Sequence, residues 1–104
     1  MREKTWQDVI ALADLEPGDV TPVTHGTREL AVFDGAEGIT VSLARCTHGA
    51  ANLCDGHFDG AFIECPLHQG LFDVRSGQAV AAPARVPLRM LEARVEGGMV
   101  QVLL

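Results

Sequence analysis

The chain has 104 residues, is 47% apolar, and carries a formal net charge of −6 from 14 acidic and 8 basic side chains. That length fits one domain, 1–104, with one modest core, and the apolar fraction excludes a disordered chain. The acidity argues against nucleic-acid binding; it reflects either plain solubility or partners that carry basic patches.

The start, Met1-Arg2-Glu3-Lys4-Thr5, is polar, and no apolar run approaches the roughly 18 residues of a spanning helix. No signal peptide and no membrane segment are therefore expected, and the cytoplasm is the expected compartment. Gly and Pro recur at short intervals and leave no long helical period, which favours short strands. Trp6 to Ala11 reads as a first strand, with Trp6 in the core. Leu12 to Leu15 allows one helical turn before the tight turn Glu16-Pro17-Gly18-Asp19. Val20 to Thr24 alternates, and His25-Gly26 turns the chain. Glu29 to Asp34 and Ile39 to Leu43 are strands joined by the hairpin 34–38, whose glycines supply the positive φ such turns need. Residues 44 to 56 form a loop. Asp59-Gly60 marks a hairpin before Ala61 to Glu64, and a second loop spans 65 to 70. Leu71 to Val74 and Gln78 to Val80 flank the turn Arg75-Ser76-Gly77. Residues 81 to 87 are stiff and extended. Leu88 to Val95 and Met99 to Leu103, joined at Gly97-Gly98, make a final hairpin. The sum is an all-β chain of antiparallel strands, without repeats or linkers.

The two loops carry the chemistry. The first holds Cys46-Thr47-His48-Gly49, the second Cys65-Pro66-Leu67-His68-Gln69-Gly70, and 16 residues separate His48 from Cys65. Two Cys and two His satisfy a tetrahedral zinc ion, but zinc spacings pair like ligands, Cys with Cys and His with His. Here unlike ligands are paired twice. That suits a 2Fe–2S cluster in which one iron takes two thiolates and the other two imidazoles. Zinc, and four unrelated core side chains, remain the alternatives. Cys54 has no partner left for a disulfide within the chain, which fits a reducing compartment. It reads as a small buried residue, or else as a free thiol open to oxidation. His25 and His57 lie outside both motifs and read as solvent-facing or locally bonded, although His57 is placed to tune a cluster electrostatically.

These two motifs, with Leu71-Phe72-Asp73 after the second, resemble the cluster loops of Rieske proteins, above all the small ferredoxins of bacterial aromatic-ring-hydroxylating dioxygenases. The resemblance covers essentially the whole chain. It implies a Rieske iron–sulfur-protein-like fold: a small antiparallel β-sandwich or barrel base with an inserted cluster-binding subdomain at about 44 to 75. It implies one 2Fe–2S cluster per chain, with Cys46 and Cys65 on one iron and His48 and His68 on the other. The two imidazoles are then the point of electron exit. Gly49 and Gly70 turn amide N–H groups towards sulfide, small Gly49, Ala50 and Ala51 let the backbone approach it, and Leu67, Gln69 and Pro83 form a lid against water. Pro83 reads equally as a simple break between strands.

Neutral imidazoles make such a cluster less negative, so Rieske potentials run from about −150 to +300 mV, against about −400 mV for plant-type ferredoxins. Hydrogen bonds to the sulfurs raise the potential further. High-potential respiratory members carry a Ser and a Tyr where this chain has Gly70 and Phe72, and they brace the loops with a disulfide that has no counterpart here. A potential near the bottom of the range is expected. The implied function is an electron-transfer ferredoxin, not itself an enzyme. It takes electrons from an NAD(P)H-dependent flavoprotein reductase and gives them to the terminal Rieske non-haem iron oxygenase. The second motif looks more like carriers for naphthalene, salicylate and anthranilate oxygenases than for biphenyl or toluene systems. Asp55, Asp59 and Glu64 are candidate docking charges. The alternatives are a small Rieske-like subunit of an assimilatory nitrite reductase, a structural zinc module, and the oxygenase itself, which 104 residues leave no room for.

Overall fold

A computed structural model describes residues 3–47, 51–67 and 69–104. Among these, eleven short strands form: β1 (Trp6–Ala11), β2 (Val20–His25), β3 (Arg28–Gly35), β4 (Gly38–Leu43), β5 (His57–Phe58), β6 (Phe62–Glu64), β7 (Leu71–Asp73), β8 (Ala79–Ala81), β9 (Met90–Leu91), β10 (Ala93–Glu96) and β11 (Met99–Leu103). Single 3-10 turns stand at Leu12–Asp14 and Leu53–Asp55. The strands make three antiparallel sheets, ordered β1-β11-β10, β2-β3-β4-β9 and β5-β6-β7-β8. The first two form the base. The third carries the loop of the second Cys motif.

Strand β3 joins the two parts, and its sequence shows why. Leu30, Ala31, Val32 and Phe33 are all fully buried. In a strand, alternate side chains face opposite ways. Leu30 and Val32 therefore pack with Val41, Val100 and Val102 in the base. Ala31 and Phe33 pack with Phe58, Ile63 and Phe72 of the third sheet. A continuous apolar run, without polar alternation, marks a strand covered on both faces. The Phe33 and Phe58 rings meet at 5.4 Å between centroids. Above them the Ala36 N–H donates to the Gly60 carbonyl at 2.9 Å. The Arg75 guanidinium bridges Asp73 of β7 and Glu37 of the β3–β4 turn. That ion pair is exposed and adds little, whereas burying a Phe side chain contributes about 1.5–3 kcal/mol. The aromatic contact dominates the joint.

Two expectations need correction. The segment Leu88 to Val95 is not one strand. Met90 and Leu91 pair with β4, Ala93 to Glu96 pair with β11, and the chain changes sheets at Glu92. The reason lies upstream: Leu88 is buried in the core of the third sheet and its N–H donates to the Gly77 carbonyl, so the chain starts this stretch on the wrong side to continue straight. Trp6 is not core. It is half-buried at the edge of the first sheet, with the Arg94 guanidinium 4.2 Å from the ring centroid. Arg94 also donates to Gln101, and Gln101 to Asp8, so a polar ladder covers this face.

Candidate iron–sulfur site

Both Cys motifs sit on loops whose stems are hydrogen-bonded shut. In the first, the Cys46 N–H donates to the Ala51 carbonyl at 2.9 Å, the Leu53 N–H to Ala44 at 2.7 Å, and Arg45 faces Asn52 in an isolated bridge. The Asn52 side chain then accepts from the Cys54 N–H and caps the 3-10 turn. In the second, the Cys65 N–H donates to the Gly70 carbonyl at 2.7 Å. Gln69 takes φ of 61°, a conformation non-glycine residues rarely adopt, to close this six-residue turn. Gly70 is buried, and here it contributes a carbonyl to the turn.

The geometry brings Cys46 and Cys65 together. The two are 2% and 0% exposed and share one apolar cluster with Leu53, Ile63 and Phe72. Burial first, then the adjacent Cys46 thiol, pushes the Cys65 thiol up to about 11, while the Leu67 N–H at its sulfur acts the other way. Burial beside a second sulfur disfavours the Cys65 thiolate unless a cation offsets it. A donor set of this kind fits soft, positively charged iron, which makes thiolate the favoured form. The site therefore suits one iron of a 2Fe–2S cluster. His48, Gly49, Ala50 and His68 lie outside the described residues. Leu67, Gln69 and Pro83, expected as a lid, are all exposed.

Cys54 is half-buried and packs against the same cluster from outside. Burial, then the charges of Asp55 and Glu29, raise its pKa to about 11. At neutral pH it is a poor nucleophile. Of the candidate docking acids, Asp55 and Asp59 are exposed and Glu64 is half-buried. The Asp59 carboxylate accepts from the Ala61 and Phe62 N–H groups, which hold it below the usual carboxylate range.

One contact escaped sequence reasoning. The Thr47 hydroxyl, between the two ligand candidates of the first motif, donates to the Val86 carbonyl at 2.7 Å. It ties the first loop to the Pro83–Pro87 strap across 39 residues of sequence, a separation no local pattern reveals. Thr47→Val keeps the shape and removes the donor. Losing such a bond costs about 0.5–1.5 kcal/mol. The expected result is faster amide exchange confined to 84–88 and faster loss of iron in air; unchanged exchange there would show that the bond does not hold the strap.

A family model described as Rieske [2Fe-2S] domain matches residues 5–92. The chain belongs to this Rieske family. It is 42% identical over 102 residues to the ferredoxin component of the naphthalene 1,2-dioxygenase system of Pseudomonas aeruginosa, covering 98% of this chain and 97% of that one. Its fold matches that of the Sphingomonas yanoikuyae B1 ferredoxin with a TM-score of 0.89 at 33% identity, covering 96% and 99% of the two chains. It also matches a chain in the complex of reduced oxygenase and oxidised ferredoxin of carbazole 1,9a-dioxygenase, with a TM-score of 0.85 at 38% identity and coverage of 94% and 92%. The Rieske family assignment identifies the cofactor as a 2Fe–2S cluster. When bound, that cluster supplies reversible one-electron reduction.

Proposed function

We infer that this Rieske protein is the ferredoxin of a multicomponent aromatic-ring dioxygenase or hydroxylase. It carries single electrons from an NAD(P)H-dependent flavoprotein reductase to the terminal oxygenase and makes no bonds itself. The observation that carries the reading is the juxtaposition of Cys46 and Cys65, from two separate loops, in a chain similar to such a ferredoxin component from end to end. That same similarity favours the carrier over the small subunit of a nitrite reductase. The proposed ligands are Cys46 and Cys65 for one iron, His48 and His68 for the other, in one domain of 104 residues. Rigid β-stems behind both loops suit fast transfer, because little has to reorganise. A cytoplasmic setting follows from the reductase's need for NAD(P)H, and it keeps Cys54 reduced. No helix among the described residues is long and apolar enough to cross a membrane.

The potential tests which electron chain it serves. Phe72 is fully buried in the cluster that contains both thiols, and it has no hydroxyl to donate. A midpoint near the low end of the Rieske range, about −150 mV, is expected by redox titration. EPR of the dithionite-reduced protein should give a rhombic signal with an average g below that of all-Cys 2Fe–2S centres. A Rieske signal at positive potential would keep the cluster but move the protein to another electron chain. Zinc in place of iron would overturn the reading.

A further inference from the structure

A carrier has to meet two partners in turn with one cluster, so any discrimination between them has to come from the surface beside the cluster loops. One such surface is a trough along the start of β3. It consists of three hollows that share walls. The first, of 320 Å³, lies at His25, Thr27 and Arg28. The second, of 310 Å³, continues past Thr27, Arg28, Glu29 and Arg45. The third, of 220 Å³, runs from Glu29 and Arg45 to Asn52 in the stem of the first Cys loop. The hollows are open to solvent and lined by charged and polar side chains together with Leu43, Ala51 and Leu104, so they suit an extended segment more than a small buried ligand.

The charge is the unusual part. The chain as a whole is strongly acidic, yet two arginines line this trough. Among the described residues, neither Arg28 nor Arg45 forms an ion pair or a side-chain hydrogen bond; the ion pairs found are those of Arg75. Both side chains are exposed. Glu29, a carboxylate side chain that lines the second and third hollows beside both arginines, is exposed as well, and the two guanidiniums outnumber it there. A free guanidinium offers a fork that matches a carboxylate, and two along one groove match two carboxylates of an extended chain.

We propose that the trough from His25 to Asn52 is a docking groove for an extended acidic segment of a redox partner, held by Arg28 and Arg45. The proposal rests on the carrier reading above. Such a segment brings its partner against the stem that positions Cys46, and it adds selectivity that the cluster loops alone do not provide.

The test uses the holoprotein and fluorescein-labelled hexaglutamate, followed by fluorescence anisotropy at low ionic strength. The wild type is expected to bind saturably and to release the peptide as salt rises. The Arg28→Glu/Arg45→Glu double variant is expected to bind at least about tenfold more weakly. Arg28→Gln/Arg45→Gln, which is gentler on folding, should weaken binding in the same direction. Arg85→Glu, an exposed cation outside the trough, should bind as the wild type does. No binding by the wild type, or an equal loss from Arg85→Glu, overturns the groove. EPR on the same samples separates the two readings. An intact Rieske signal with failed peptide binding defeats the groove alone, whereas zinc in place of iron defeats the carrier, leaving the groove to the anisotropy result.

Discussion

Cys65→Ser is expected to abolish the cluster. Purified protein should contain little iron or acid-labile sulfide and show no Rieske EPR signal, whereas Cys54→Ser should retain all three. The argument starts from burial. Cys65 is fully buried beside Cys46, and its sulfur already receives the Leu67 N–H. A serine oxygen is harder and shorter, binds iron–sulfur centres poorly, and cannot be made anionic at neutral pH in an apolar pocket. Cys46→Ser should do the same, because in the proposed assignment the two sulfurs hold one iron and losing either leaves it under-coordinated. Cys54 differs in every relevant respect. It lies outside the pair, and burial with two nearby carboxylates keeps it a thiol. If Cys54→Ser lost the cluster and Cys65→Ser kept it, the ligand assignment would be wrong. Metal loss should also lower thermal stability, since metal binding is coupled to the folded state.

How much of this was legible in the sequence follows from what each residue's role depends on. The Cys-x-His and Cys-x-x-His motifs are local, so their chemistry was readable at once, and so were the hairpins closed by Gly at positive φ. The four-residue apolar run at 30–33 showed a strand, but not that its two faces belong to two different cores; that depends on which sheet each face meets. The break at Glu92 was hidden for a similar reason. Leu88 to Val95 reads as one uninterrupted strand, and only the tertiary pull on Leu88 divides it. Trp6 looked like core because large aromatics usually are, yet on an edge strand its ring stacks under Arg94 instead. The unpaired arginines at 28 and 45 were invisible because they are far apart in sequence and become neighbours only through the β3 register and the bridge from Arg45 to Asn52.

Gly56→Ala tests the packing that delivers Cys65, and its added methyl meets a tighter obstruction than one at Gly18, Gly35 or Gly77. Gly56 has φ of −86° and ψ of −172°, a conformation any residue adopts. Its glycine is needed for space. A Cβ there would sit 2.0 Å from the Glu64 carbonyl oxygen and 3.2 Å from that of Leu53. Both obstacles are backbone, so neither can rotate away. Glu64 pairs with His57 and Leu71 in the third sheet and directly precedes Cys65. Making room therefore means displacing β6, and with it one of the two sulfurs. Overpacking in a rigid site costs about 1–3 kcal/mol, and backbone obstruction lies at or beyond the top of that range. At roughly 4–8 °C per kcal/mol for a domain near this size, the melting temperature should fall by more than 10 °C. Gly18→Ala supplies the contrast. It has φ of +69° with nothing within 4 Å of the added methyl, so its cost is conformational, about 1–2 kcal/mol. Gly18→Ala should leave the EPR line shape untouched, because the added methyl meets nothing that could transmit a shift to either Cys loop. Gly56→Ala should broaden or shift it in whatever fraction still folds. Equal melting temperatures for the two variants, with an unchanged signal in both, would mean that β6 can move without carrying Cys65 along.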